Sequence, residues 1–201
     1  PSADAMFQLG KTLELEELYS EALVNYDAVL AQWRDEPIAI EAAFRRAIVL
    51  EDIGNSKESI QQIKELERLG AWDLPAENTL SLVRGIAEVD PDRPRSGKTR
   101  RGVKRINAAL AAFENSSDGP WMRARARSAL VELLLVEAAD LRLVGNRKAA
   151  RRLEERGALM LGAEQQIIAI AQLGEPEYAL QGLLLLGDAY IALHDDLISA
   201  P

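Results

Sequence analysis

The sequence predicts an all-α chain of about nine helices, and three observations carry that expectation. Apolar residues recur at steps of three and four, as in Leu23, Tyr26 and Leu30 or Ile60, Ile63 and Leu66, which is the period of one helix face. No series of Val, Ile and Thr runs alternating with polar residues and bounded by hairpin turns is evident, so a sheet has no obvious sequence to come from. Glycine and proline fall at intervals that suit the starts and stops of helices.

Taken in order, the first helix carries Leu9 and Leu13, and the second carries Leu23, Tyr26 and Leu30 before Pro37 opens the third. Ala43, Ala47 and Leu50 mark the third, which stops at Gly54-Asn55; Ile60, Ile63 and Leu66 mark the fourth, which stops at Gly70. Pro75 and the Pro91 to Pro94 segment bracket the fifth, and Gly97 is a flexible start for the sixth. Gly119-Pro120 opens the seventh, Gly145-Asn146 separates it from the eighth, and Gly174 to Pro176 opens the ninth. The longest apolar stretches, such as Ala179 to Leu186, fall far short of the roughly 20 residues that cross a bilayer.

The helices come in pairs, and the first two pairs align at a spacing of 37 residues. Leu9-Gly10, Leu13, Glu21-Ala22, Tyr26 and Val29 fall on Arg46-Ala47, Leu50, Glu58-Ser59, Ile63 and Leu66. A small residue in each first helix (Gly10, Ala47) and each second helix (Ala22, Ser59) lets two backbones approach, while larger residues a turn away fill the space between pairs. No such pair buries its apolar face alone, so the pairs must stack. Three segments follow: two pairs over 1–74, a pair with a basic, proline-rich connection over 75–118, and a pair plus one further first helix over 119–201.

The 201 residues are 48% apolar and 28% charged, the balance of a globular protein able to bury a core. The formal charge of -8 argues against indiscriminate polyanion binding by the chain as a whole, but its distribution is uneven. Residues 1–92 hold 8 basic and 19 acidic side chains, residues 93–156 hold 16 and 7, and residues 157–201 hold 0 and 6. Seven cations, Arg93, Arg95, Lys98, Arg100, Arg101, Lys104 and Arg105, lie within thirteen residues. The cluster reads as a solvated linker and helix start, as a clasp within or between copies with the acidic N-terminal third, or as a docking site for an acidic partner. Nucleic acid is the least favoured reading, because no aromatic residue interleaves the cations to stack on bases. Arg123, Arg125 and Arg127, spaced by two, cannot all share a face and read as solvated flanks.

Catalytic arrangements are thin. The absence of cysteine removes disulfides, thiolate zinc sites and cysteine nucleophiles, and the lone His194 cannot build a polyhistidine metal site. RSGKT at Arg95 to Thr99 ends like a phosphate loop, yet Asp92 stands where the earlier glycine is required and no buried strand precedes it. His194 precedes Asp195-Asp196, but adjacent helical residues point about 100° apart, so the arrangement reads as a surface histidine. The expectation is a chain with no catalytic residue, no metal and no cofactor. Trp33 and Trp121 read as caps on the seams between pairs, and Trp72 as a turn residue that becomes a contact candidate if exposed. The opening PSADA has neither an initiator methionine nor a basic-then-apolar leader, which leaves open a signal or anchor removed by processing.

LGKTL at Leu9 to Leu13, EALVNY at Glu21 to Tyr26, and LLLLGDAY at Leu183 to Tyr190 resemble the tetratricopeptide repeat, W-x2-L-G-x2-Y, then A-x3-F, then P, with Met6 where the family favours Trp. Pro37 comes three residues late. The second unit departs further, with Ala47, Leu50 and Ser59 at the small, aromatic and alanine positions. The resemblance implies a right-handed solenoid of antiparallel helix pairs that binds proteins without catalysis, with the second helix of the last repeat missing. The phrase LGEPEYALQGLLLLGDAYIALHDDLISAP is similar to repeats of large deltaproteobacterial envelope proteins, including those of gliding motility. That likeness implies a periplasmic or envelope scaffold and one segment of a longer solenoid.

In that family the first helices line a concave groove. Carried over by position, the groove residues are Asp4, Phe7, Lys11, Glu14 and Leu15, then Glu41, Phe44, Ile48, Glu51 and Asp52. Two phenylalanine anchors inside an acidic rim suit a basic amphipathic or extended segment of a protein partner. The alternative at these positions is that Phe7 and Phe44 pack against neighbouring helices. The expected function is a scaffold within a larger assembly; the alternative is an adaptor that engages an acidic partner or polyanion through the basic middle.

Overall fold

The computed structural model describes residues 1–69, 76–113, 119–143 and 149–199. Among them there are nine helices and no strand, as the periodicity predicts. The chain divides into two compact units, Pro1–Val83 and Arg84–Pro201, with the division inside a helix. The boundaries expected at 74/75 and 118/119 each touch a residue outside the described set, as does Trp72.

In the first unit, α1 (Ala3–Leu15) starts where the Ser2 hydroxyl accepts the Ala5 N–H at 3.2 Å, satisfying one of the donors a helix start leaves open. It stops as Glu17 takes a φ of 59° and the Leu18 N–H returns to the Leu13 carbonyl at 2.8 Å. α2 (Tyr19–Gln32) buries Ala22, Asn25, Tyr26 and Val29, a single stripe at steps of three, one and three. α3 (Pro37–Asp52) begins with its proline in the first turn, where the missing N–H costs nothing, and ends at Gly54, whose φ is 81°. α4 (Ser56–Leu69) follows. α1 packs on α2, α2 on α3, α3 on α4, and α1 also on α3.

The expected small-residue crossing is present at Gly10: a Cβ there would stand 2.7 Å from the Tyr26 ring. Ala22, Ala47 and Ser59 have no exposed surface. Arg46 ties three helices together, with Nε 2.5 Å from Asp27 of α2, Nη2 3.0 Å from Glu58 of α4, and a further hydrogen bond to Gln62.

α5 (Ala76–Glu88) runs across the division between the units. In the second unit its last turns meet α6 (Gly97–Ala112) at a glycine pair. A Cβ on Gly102 would stand 2.7 Å from the Gly85 carbonyl oxygen, and one on Gly85 would stand 2.6 Å from Ile106. α7 (Pro120–Ala139) is buried almost all round, α8 (Ala149–Gln172) lies against it, and α9 (Pro176–Ser199) packs on both. The core here joins Val131 and Leu135 of α7, Met160, Ala163, Ile167 and Ile170 of α8, and Tyr178, Ala179 and Leu186 of α9. Gly182 lets α9 approach, because a Cβ there would lie 2.8 Å from Ile167. At the far end Arg156 of α8, 2% exposed, holds Asp196 of α9 at 2.5 Å. Among the described residues no helix is long and apolar enough to cross a membrane.

Candidate interaction surfaces

The expected groove of the first unit closes on itself at its apolar positions. Phe7, Phe44 and Ile48 are 3%, 1% and 0% exposed, so the two rings pack inside and present no anchors at the surface of this unit. The Phe7 ring lies 6.1 Å from that of Tyr26, and the Arg45 guanidinium sits 5.8 Å above it. The side chain of Glu14, expected on an acidic rim, is only 9% exposed: its carboxylate accepts the Tyr26 hydroxyl at 2.5 Å and faces Arg45 at 3.4 Å. Burial pushes the Glu14 carboxyl above its ordinary range, and the charge of Arg45 and the Tyr26 hydrogen bond only partly oppose this. Arg45 also reaches back one turn to half-buried Glu41 at 3.1 Å. Asp4, Leu15 and Asp52 remain exposed, and Lys11 and Glu51 are half-buried. Sequence spacing placed these residues on one helix face; it could not show that α2 and α3 would cover its apolar part.

The seven cations of the basic segment are all exposed. Ser96 caps α6 by accepting the Thr99 N–H at 3.0 Å, and the buried Thr99 hydroxyl donates to the Arg93 carbonyl at 3.0 Å, folding the proline-rich turn over the helix start. Thr99, Gly102, Ile106, Ala109 and Leu110 face inward. At 100° per residue, Arg100, Arg101, Lys104 and Arg105 therefore share the opposite arc, while Lys98 lies at the flank beside Ala109. Among the described residues only Arg105 of the seven makes an ion pair, with Glu88 at 3.0 Å. Gly97 is not in a tight cradle: a Cβ would meet only an Arg101 nitrogen, at 3.9 Å.

The surface that sequence reasoning missed is the outer face of α9. Leu180, Leu183, Leu184, Tyr190, Ile191, Leu197 and Ile198 are 48–71% exposed. Leu180, Leu184, Gly187, Ile191, His194 and Ile198 advance by alternating steps of four and three, the seam a coiled coil uses to seat a second helix. Gly187, which stands in LLLLGDAY where Gly10 stands in the first unit, has nothing within 4 Å of a built Cβ; Gly182, on the opposite side, makes the close approach instead. Glu177, Asp188 and Asp195, at steps of eleven and seven, form one acidic edge of this face. The signal was available: the inner residues Ala179, Gly182, Leu186, Ala189 and Leu193 are small or apolar too, and a helix apolar on both faces expects a partner on both.

His194 Nδ1 lies 3.3 Å from Asp195 Oδ1 despite the divergence of adjacent helical positions, because both exposed side chains swing over the helix surface. Among the described residues no cluster of three or more His, Cys, Asp or Glu could hold a metal. Trp33 is half-buried at the end of α2 and Trp121 is buried in the first turn of α7. No protein-family model, curated protein or solved structure matches this chain.

Proposed function

We propose that this chain is a non-catalytic scaffold, built from tetratricopeptide-like helix pairs stacked as a right-handed solenoid, that takes up an amphipathic helix of a protein partner on the outer face of α9. The observation that carries this reading is the exposed 4-3 seam of Leu180, Leu184, Gly187, Ile191 and Ile198, an apolar stripe of a kind that marks an interaction site on a folded unit. The chain itself supplies the comparison. In the matching LG motif of α1, Gly10 is covered by Tyr26 of the next helix, whereas the seat at Gly187 is open. The partner helix places a large side chain there.

Charge selects the partner's flank. Residues 157–201 contain six acids and no lysine or arginine, and Glu177, Asp188 and Asp195 edge the seam, so a helix with a basic flank completes it. A second copy of α9 adds another acidic edge and no cation, which disfavours self-pairing. The test is capture from the native source with the full wild-type chain and with a Leu184→Asp/Ile191→Asp variant of unchanged helicity. A recovered partner that carries a basic amphipathic helix and is lost with the variant supports the reading; a partner set that the variant leaves intact overturns it.

A second reading rests on α6, where four cations share the arc opposite the buried face and only Arg105 among them is ion-paired among the described residues. It makes α6 a landing surface for an acidic partner. Steep loss of binding between low and physiological salt distinguishes it from an apolar seam.

A further inference from the structure

Between α6, α7 and α8 of the second unit lies an open cleft of about 480 Å³. Arg123 and Arg127 of α7 line it with the amides of Asn107 and Gln172, and Leu110 and Leu173 supply apolar wall. None of the described lining residues is acidic. The two arginines are one helical turn apart and so share a face, which the reading of Arg123, Arg125 and Arg127 as a run spaced by two passed over. Both are half-buried. Arg127 donates from Nη1 to Gln166 Oε1 at 2.6 Å, while its buried Nε has no hydrogen-bond partner among the described residues. Burial and the neighbouring positive charge of Arg123 lower the Arg127 pKa, and among the described residues no carboxylate counters them.

A cation held this way is under-compensated, and an entering anion relieves it. Guanidinium forks match a carboxylate geometrically, two N–H donors to two oxygens. The space lies in the range of small-ligand sites, and the mixed wall suits a ligand with an apolar body and one charged end. We infer that this cleft binds a carboxylate carrying a short branched apolar chain, with Arg127 as the principal anion contact, Arg123 beside it, and Leu110 and Leu173 against the apolar chain. A free small carboxylate and the C-terminal residue of a peptide present the same chemistry. This site is separate from the α9 seam and does not depend on it.

The test is calorimetric titration of the full chain with N-acetyl-leucine, its uncharged amide, and a pentapeptide ending in leucine with a free or amidated C-terminus. The carboxylate forms bind saturably, and their amides bind at least about tenfold more weakly, as expected when a charge-assisted hydrogen bond is lost. Stronger binding of the free-ended peptide assigns the site to chain termini; equal or stronger binding of N-acetyl-leucine assigns it to small acids; each supports the inference. Arg127→Gln weakens the carboxylates by about tenfold or more while Arg127→Lys retains part of the affinity. Because Arg127→Gln also disturbs the Gln166 contact, Asn107→Trp provides an independent check, filling the cleft from an exposed position with every charge retained. Amides that bind as tightly as acids, absence of saturable binding, or full affinity in Asn107→Trp overturns the inference.

Discussion

Replacing Gly102 with alanine drives a methyl group into a helix crossing that has no room for it. The new Cβ would stand 2.7 Å from the Gly85 carbonyl oxygen, 2.9 Å from Glu88 Cβ and 3.0 Å from the Glu88 carbonyl carbon. Two of those atoms are backbone, so relief requires α5 to shift. Overpacking of this kind costs about 1–3 kcal/mol. The better helix propensity of alanine returns about 1 kcal/mol. Since the clash is with backbone, the upper part of the range applies and the net loss is about 1–2 kcal/mol. Gly187→Ala is the matched control: the same methyl meets nothing within 4 Å, so only the propensity gain of about 1 kcal/mol remains. For a unit of this size 1 kcal/mol moves the melting temperature by roughly 4 °C. Thermal melts followed by circular dichroism at fixed concentration should therefore show opposite shifts for one chemical change. Gly102→Ala melting at or above wild type, or both variants shifting in the same direction, refutes the packing argument.

Three further outcomes follow from the same structure. Arg45→Met leaves the Glu14 carboxylate buried without its cation and lowers stability by about 3–5 kcal/mol in denaturant titration, and adding Glu14→Gln recovers part of that loss because the two residues are coupled. The Glu14 pKa is raised in the folded state, so its contribution is greatest where the carboxyl is protonated in both states and is lost as pH rises from the ordinary value of 4.5 through the folded value. The unfolding free energy of wild type relative to Glu14→Gln therefore declines with rising pH across that window; a relative gain contradicts the burial argument. If α6 is a landing surface, Arg101→Glu/Lys104→Glu abolishes retention on poly-glutamate at low salt without changing the melting temperature, since both side chains are exposed and make no ion pair among the described residues.

The helical class was legible because the period of three and four is a local property that burial on one side imprints on the sequence. Gly10 and Ala22 were legible for the same reason, since close crossings leave small residues at fixed offsets. The Gly85–Gly102 crossing was not: the sequence pairs these helices across their proline-rich connection, but neither glycine falls in the repeat pattern that marks Gly10 and Ala22. Phe7, Phe44 and Glu14 share one face of their helices by spacing, yet whether that face is groove or interior depends on how closely α2 and α3 fold over it. Arg45 illustrates the limit: a charge among alanines reads as exposed until the structure supplies Glu14, Glu41 and the Phe7 ring around it. The α9 seam was partly legible in LLLLGDAY, whose glycine pointed to a close helix neighbour; the structure leaves that seat open and puts Gly182 against α8 instead.

The most direct measurement is fluorescence anisotropy of a labelled three-heptad helical peptide, leucine on its seam and lysine on its flanks, titrated with the full chain and with Gly187→Leu. Filling the seat should weaken binding by about tenfold or more. The variant should melt no lower than wild type, because the added side chain meets open space and a better helix former replaces glycine. Equal affinity for the two proteins, or equal affinity for a glutamate-flanked peptide, contradicts α9 as the docking face for a basic helix.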